Sequence, residues 1–190
     1  MPGPTAAAGV FGLLLAGIAT LAGASAPEHD PAVSAGRLPR MEVRTLSGER
    51  VVLPDSVTGP GVLLAFAFRR QDQKLVDSWL PWTGRIASTG CEFYEVALLG
   101  QSVPRILRGL VFAGMRAAVP RHLHANLVPY YGDVDRLAEA LAMHDRTTAH
   151  VLLVARDGRV VRRVQGRADT AKAGLMVDAC RELGAVKSGR

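Results

Sequence analysis

The sequence predicts a single α/β domain of three layers, a central mixed sheet flanked by helices and preceded by a β-hairpin. Three observations carry this. Two apolar runs, residues 62–68 and His150–Ala155, have the length and composition of strands buried on both faces. Between them, helical periodicities alternate with a further strand-like run, which requires a parallel crossover. After them, Asp157-Gly158 joins His150–Ala155 to residues 160–164, and Asp-Gly between two such runs marks a tight hairpin.

The elements follow in chain order. Residues 41–46 alternate weakly, Ser47-Gly48 supplies a turn, and Arg50–Leu53 forms the second strand of the leading hairpin. A loop over residues 54–61 leads to the central strand at 62–68. Arg69-Arg70-Gln71-Asp72 then opens a helix expected to run through about Ser88, with Leu75, Val76, Trp79 and Trp82 at helical spacings and Pro81 kinking it. Residues 92–99 are rich in aromatic and branched side chains and read as a strand. Residues 103–117 repeat Val103, Ile106, Leu107, Leu110, Val111 and Met115 on an expected inner face, with Arg105, Arg108 and Arg116 elsewhere, and Pro120 ends the helix. Residues 121–133 are irregular or a short strand. Asp133 is the expected N-cap of a helix over 134–143 with Leu137, Ala138 and Leu141 inward. A last helix over 170–183 is expected to turn Leu175, Met176, Ala179, Cys180 and Leu183 to the core.

Composition narrows the function classes. A chain of 190 residues suits one compact domain, and mixed charges with an ordinary apolar fraction exclude general disorder. The two cysteines, Cys91 and Cys180, form neither a C-x-x-C pair nor half of a zinc ribbon, which excludes a disulfide scaffold. The net charge of +6 would suit nucleic acid, but its longest clusters are Arg69-Arg70 and Arg162-Arg163, so it reads as a solvated surface and no nucleic-acid role is expected.

Residues 6–26 carry no charge. Their apolar run at 9–19 ends in Ala24-Ser25-Ala26, a small-x-small cleavage pattern. The segment before it lacks Lys and Arg, and Pro27 follows the site; cleavage after Ala24 would avoid that proline. Left uncleaved, the segment is long enough for a membrane tether. The expected organisation is a signal peptide or membrane anchor at 1–26, a linker at 27–40, the domain at 41–184 and a basic tail at 185–190. The expected location is extracytoplasmic, released or tethered.

Thr45-Leu46-Ser47-Gly48-Glu49-Arg50-Val51-Val52-Leu53, then Gly59-Pro60-Gly61 and residues 62–68, with the later hairpin at 150–161, resemble the redoxin branch of the thioredoxin-like superfamily. The resemblance covers about residues 41–183. In redox-active members a C-x-x-C or peroxidatic Cys follows the first core strand at a helix N-terminus, where backbone N–H groups stabilise the thiolate. The matching stretch here, Arg69-Arg70-Gln71-Asp72-Gln73-Lys74, has no sulfur. The family's cis-proline matches a position near His150, and no proline occurs from Tyr131 onward. The resemblance therefore implies the fold without catalytic residues and without a cofactor. Phe68-Arg69 through Val76-Asp77-Ser78-Trp79, Gly114-Met115-Arg116-Ala117-Ala118-Val119-Pro120, and His150-Val151-Leu152-Leu153-Val154 with Gly166-Arg167-Ala168 are distantly similar to the mitochondrial ATP synthase assembly factor family and its bacterial relatives. That similarity implies an assembly or chaperone role.

The candidate binding site is the C-terminal end of the first core strand, where Arg69, Arg70, Gln71 and Asp72 fall and His150 is expected to face them. An arginine pair above a helix N-terminus suits a small anionic ligand or a protein partner; otherwise the arginines are solvated and Asp72 caps the helix. Cys91 and Cys180 read as buried structural thiols, or as one structural disulfide after export; the alternative class is a thiol-disulfide or peroxide-reducing enzyme that uses one of them. His122-x-His124 has metal-ligand spacing but no third ligand nearby, so no metal is expected.

Overall fold

The structure is a computed structural model and describes residues 36–188. The signal or anchor, most of the linker, and residues 189 and 190 of the tail lie outside the described residues.

Strands β1 (Met41–Arg44) and β2 (Arg50–Leu53) pair antiparallel as the leading hairpin. Their alternation is the reason they lie flat on the domain: Met41, Val43, Val51 and Leu53 point inward, Glu42, Arg44 and Arg50 outward. The main sheet has the order β5-β4-β3-β6-β7. Strands β3 (Gly61–Ala67), β4 (Glu92–Leu98) and β5 (Leu127–Tyr130) are parallel; β6 (His150–Ala155) runs antiparallel to β3, and β7 (Val160–Gln165) runs antiparallel to β6. The uncharged run of β3 occupies the centre, with Gly61 through Phe66 buried. The Asp157-Gly158 turn forms as expected, Gly158 at φ +85° and Arg159 N donating to Asp157 Oδ1 at 2.9 Å. The glycines before β3 are there for space: a Cβ on Gly59 would lie 1.9 Å from the Gly90 carbonyl oxygen.

Helices α1 (Gln73–Asp77), α2 (Thr83–Ala87), α3 (Arg108–Ala118), α4 (Val134–Ala140) and α5 (Thr170–Ser188) complete the fold. One face of the sheet packs Leu64, Phe66, Leu152 and Val154 against the hairpin, Leu137 of α4 and Leu141 just past its end. The other packs Leu63, Ala65, Val151 and Leu153 against Trp79, Ile86 and the Ala173, Met176 and Cys180 stripe of α5. These are the three layers.

Both edges of the sheet are occupied. On the β5 side, Leu46 N donates to Leu127 O at 2.9 Å and Ser47 N to His124 O at 3.1 Å, and Pro129 has no N–H to offer. On the β7 side, Val160 N donates to Gly36 O at 3.0 Å and Leu38 N to Gly158 O at 2.8 Å, and Arg37 bridges Arg159. Leu38 is buried in the hairpin-side core. The folded unit therefore begins inside the stretch assigned to the linker, because Leu38 has an apolar surface to cover.

Other expectations need correction. The helix expected over 69–88 breaks into a 3-10 turn at Arg70–Asp72, α1, a second 3-10 turn at Leu80–Trp82 and α2. Pro81 cannot donate, and the Ser78 and Thr83 hydroxyls donate back to Leu75 O and Leu80 O at 2.6 and 2.8 Å. Of its expected inward positions, Val76 and Trp79 are buried and Leu75 and Trp82 half-buried; Ile86, outside that set, is buried as well. α3 departs further. None of its residues is buried, Ile106 in the turn before it is 89% exposed and Leu110 73%. The helix stands near the end of β5, and its apolar Val111, Phe112 and Met115 are only half-buried. α4 stops at Ala140, since Ala142 takes a left-handed φ of 48°. α5 runs on through Ser188, into the stretch assigned to a tail, and Leu175, one residue off the Ala173, Met176, Cys180 stripe, is exposed.

Candidate functional site

β3 delivers Phe68, Arg69 and Arg70 to the corner above α1, as the sequence leads one to expect. There Arg69 closes on Asp72, Nε to Oδ2 at 2.6 Å and Nη2 to Oδ1 at 2.9 Å, and Nη2 also donates to Thr147 O at 2.8 Å. Asp72 is buried, and its carboxylate receives the guanidinium fork instead of capping α1. The bond to Asp72 raises the already high proton affinity of Arg69. Arg70 and Gln71 are exposed.

His150 does not join them. It pairs with Phe66 in register, which turns its side chain to the hairpin side of the sheet, opposite α1. There it is fully buried, Nε2 donates to Asp145 O at 2.6 Å, and the ring meets Phe68 edge-on with centroids 5.9 Å apart. Nδ1 has no partner. Burial pushes the imidazole below its ordinary value and Arg163 adds to this, against the Asp145 carbonyl, and because that carbonyl can only accept, Nε2 carries a proton. The two groups are linked through residues 145–147, whose carbonyls take His150 on one side and Arg69 on the other, and through the Phe68 ring.

The corner holds one residue that sequence reasoning missed. Glu95 on β4 is buried on the α1 side and accepts from Gln73 Nε2 at 2.6 Å; Gln73 also donates to Asp77 Oδ1 at 3.1 Å. Burial pushes the Glu95 carboxyl up and Asp77 adds to it, while the Gln73 bond opposes. The signal was present: Glu95 shares strand parity with buried Phe93, and an acid on the inward parity is uncommon.

Cys91 and Cys180 are buried and touch. The hydrogen bond between them draws the Cys91 thiol down, and that contact together with burial pushes the Cys180 thiol up. His122 is exposed, whereas His124 is buried with Nε2 2.9 Å from Val119 O. Among the described residues no group of three or more His, Cys, Asp or Glu could hold a metal ion, and no helix is long and apolar enough to cross a membrane.

A cleft of about 630 Å³ opens two strands from the corner, between the hairpin, the end of β5 and α3. Arg44, Arg50 and Arg108 line it with Phe112 and Tyr131, and the Arg108 guanidinium lies 4.9 Å from the centre of the Tyr131 ring.

No family model and no curated protein matches the sequence. Solved structures do match. BsSco, a member of the Sco family of cytochrome c oxidase assembly proteins, is 13% identical with a TM-score of 0.56, over 80% of this chain and 95% of that one. Arabidopsis thaliana ScoI, solved with copper bound, is 12% identical with a TM-score of 0.53, over 76% and 98%. The exposed lipoprotein thioredoxin of Streptococcus pneumoniae is 15% identical with a TM-score of 0.50, over 76% and 99%. Identities this low speak for the fold alone. Taken with the five-stranded mixed sheet, its flanking helices and the leading hairpin, they show that the chain has a thioredoxin-like fold.

Proposed function

We propose that this is a non-redox thioredoxin-fold protein of the cell envelope, exported or tethered through residues 6–26, acting as a binding factor of the assembly or chaperone type. One observation carries the reading: where the resemblance calls for a thiolate, the corner holds Arg69 locked on Asp72 and Thr147. Disulfide exchange and peroxide reduction both start from a thiolate, and an ion pair supplies none. The exposed Arg70 and Gln71 are then what a protein partner or small anionic ligand meets. A fold shared with a family described as assembly proteins, and with an exposed lipoprotein, supports the type and place of action.

A thiol enzyme using Cys91 or Cys180 is the second reading. Contact between the two sulfurs favours it, and their burial opposes it. Insulin-reduction and peroxidase assays with the Cys91→Ser/Cys180→Ser variant as control decide between the two. No thiol-dependent turnover is expected; turnover in the parent that vanishes in the variant would overturn the binding reading. Arg70→Ala/Gln71→Ala is expected to release the partner that co-purifies with the parent.

A further inference from the structure

We infer that the cleft between the hairpin and α3 is a binding site for a phosphate group, held by Arg44, Arg50 and Arg108. Arg44 and Arg50 are direct cross-strand partners in the hairpin and both point outward. Like charges placed opposite each other destabilise a strand pair, and an anion between them reverses the sign of that interaction. Arg108 supplies a third guanidinium from the facing wall.

Nothing within the described chain neutralises the three. None of them makes an ion pair among the described residues. Glu42 is the one acid on the cleft wall, and Arg40 Nη1 already holds it at 2.6 Å. The sequence has no acid between Glu95 and Asp133, yet it places Arg105, Arg108, Arg116 and Arg121 there. Two of the guanidiniums are also oriented before any ligand arrives. Arg44 Nε donates to Gly48 O at 2.9 Å, leaving its terminal nitrogens free, and Arg108 lies over Tyr131 while its Nε reaches Val103 O at 3.4 Å. Three forks arriving from two walls match the several oxygens of a tetrahedral phosphate; a planar carboxylate is satisfied by one fork. The place agrees with the fold, because Tyr131 follows the C-terminal end of a parallel strand.

The phosphate could belong to a soluble ester or to a lipid headgroup, and α3 lets the two be told apart. Its inner side forms the cleft through Arg108 and Phe112, while Ile106 and Leu110 stand in solvent beside it. A lipid would engage both sides and a soluble ester only the inner one.

The test uses the full chain, with inorganic pyrophosphate titrated by calorimetry and vesicles of phosphatidylglycerol or phosphatidylcholine in co-sedimentation. The parent is expected to bind pyrophosphate, phosphatidylglycerol vesicles or both. Arg44→Gln/Arg50→Gln and Arg108→Gln are each expected to weaken that binding about tenfold or more, with circular dichroism unchanged. Arg105→Gln/Arg156→Gln, which removes as much charge from two exposed positions outside the cleft lining, should leave it within about twofold of the parent. Loss of vesicle binding in Ile106→Ser/Leu110→Ser with pyrophosphate binding intact identifies the lipid source; pyrophosphate binding without vesicle binding identifies the soluble one. The site is overturned if the parent binds neither probe, if the cleft variants bind as the parent does, or if the control variant loses as much. None of these outcomes depends on the redox assay.

Discussion

Beyond the C-terminal ends of the parallel strands stand two arginine clusters of opposite construction. At the end of β3, Arg69 is closed on a buried carboxylate and a carbonyl, and the segment behind it is anchored by Trp79, fully buried with Nε1 donating to Gly166 O at 3.2 Å. Past β5, Arg44, Arg50 and Arg108 pair with no carboxylate among the described residues, and the helix behind them buries no residue. The chemistry of the side chain is the same in both places. What differs is whether its donors are already satisfied, and that decides whether an arginine holds a fold together or waits for a ligand.

The largest effect that tests this contrast concerns the support of each cluster. Trp79→Ala is expected to cost ~3–5 kcal/mol in urea unfolding and Phe112→Ala less than ~1.5 kcal/mol. Equal losses would remove the distinction between an anchored corner and a peripheral cleft. Next is the thiol pair in the same layer as Trp79. Oxidation with diamide is expected to join Cys91 to Cys180, leave the chain two hydrogens lighter by intact mass and raise its stability by ~2–4 kcal/mol. Dithiothreitol should reverse the change and Cys180→Ser abolish it.

The arginines themselves should then respond with opposite signs in low-salt calorimetry. Asp72→Asn lowers the melting temperature by a few degrees because it leaves the Arg69 fork without its counter-charge, whereas Arg50→Gln leaves it unchanged or raises it slightly by relieving Arg44. A loss in both would mean that Arg50 has a partner in the fold.

The smallest effect is a pH profile. Glu95 holds its proton more tightly folded than unfolded, so its contribution is complete below the unfolded value of about 4.3 and is lost as pH rises through the folded value. His150 acts on the other side. Its folded value is depressed, so its contribution is present above about 6.5 and is lost as pH falls towards the folded value. Glu95→Gln, with Gln73 still donating to residue 95, is expected to lose the decline that sets in as pH rises above about 4.3 in a urea series against pH. A decline of unchanged slope would assign it to another group.

The sheet was legible in the sequence because its signals are local. Residues 62–68 and His150–Ala155 name the two most buried strands by composition alone, and Asp157-Gly158 names the turn. Helical periodicity proved a weaker guide, since it identifies an apolar side without saying that the chain will cover it. The same kind of pattern is buried at Val76 and Trp79 and exposed at Ile106 and Leu110. The site was legible only as a place. That Arg69 turns to Asp72, that strand parity sends His150 to the opposite face, and that Arg44 comes to stand across from Arg50 are consequences of register. Contact between Cys91 and Cys180 depends on how α5 docks, which no local pattern encodes.

The closed edges of the sheet limit how this protein can be recognised. A partner that adds a strand needs a row of free N–H and C=O groups. Along β5 the hairpin turn has taken part of that row and Pro129 interrupts the rest, and residues 36–38 lie along the start of β7. Recognition thus falls to side chains, and it will be read in charge and shape at the strand ends. The same closure guards the chain against edge-to-edge aggregation when it is crowded.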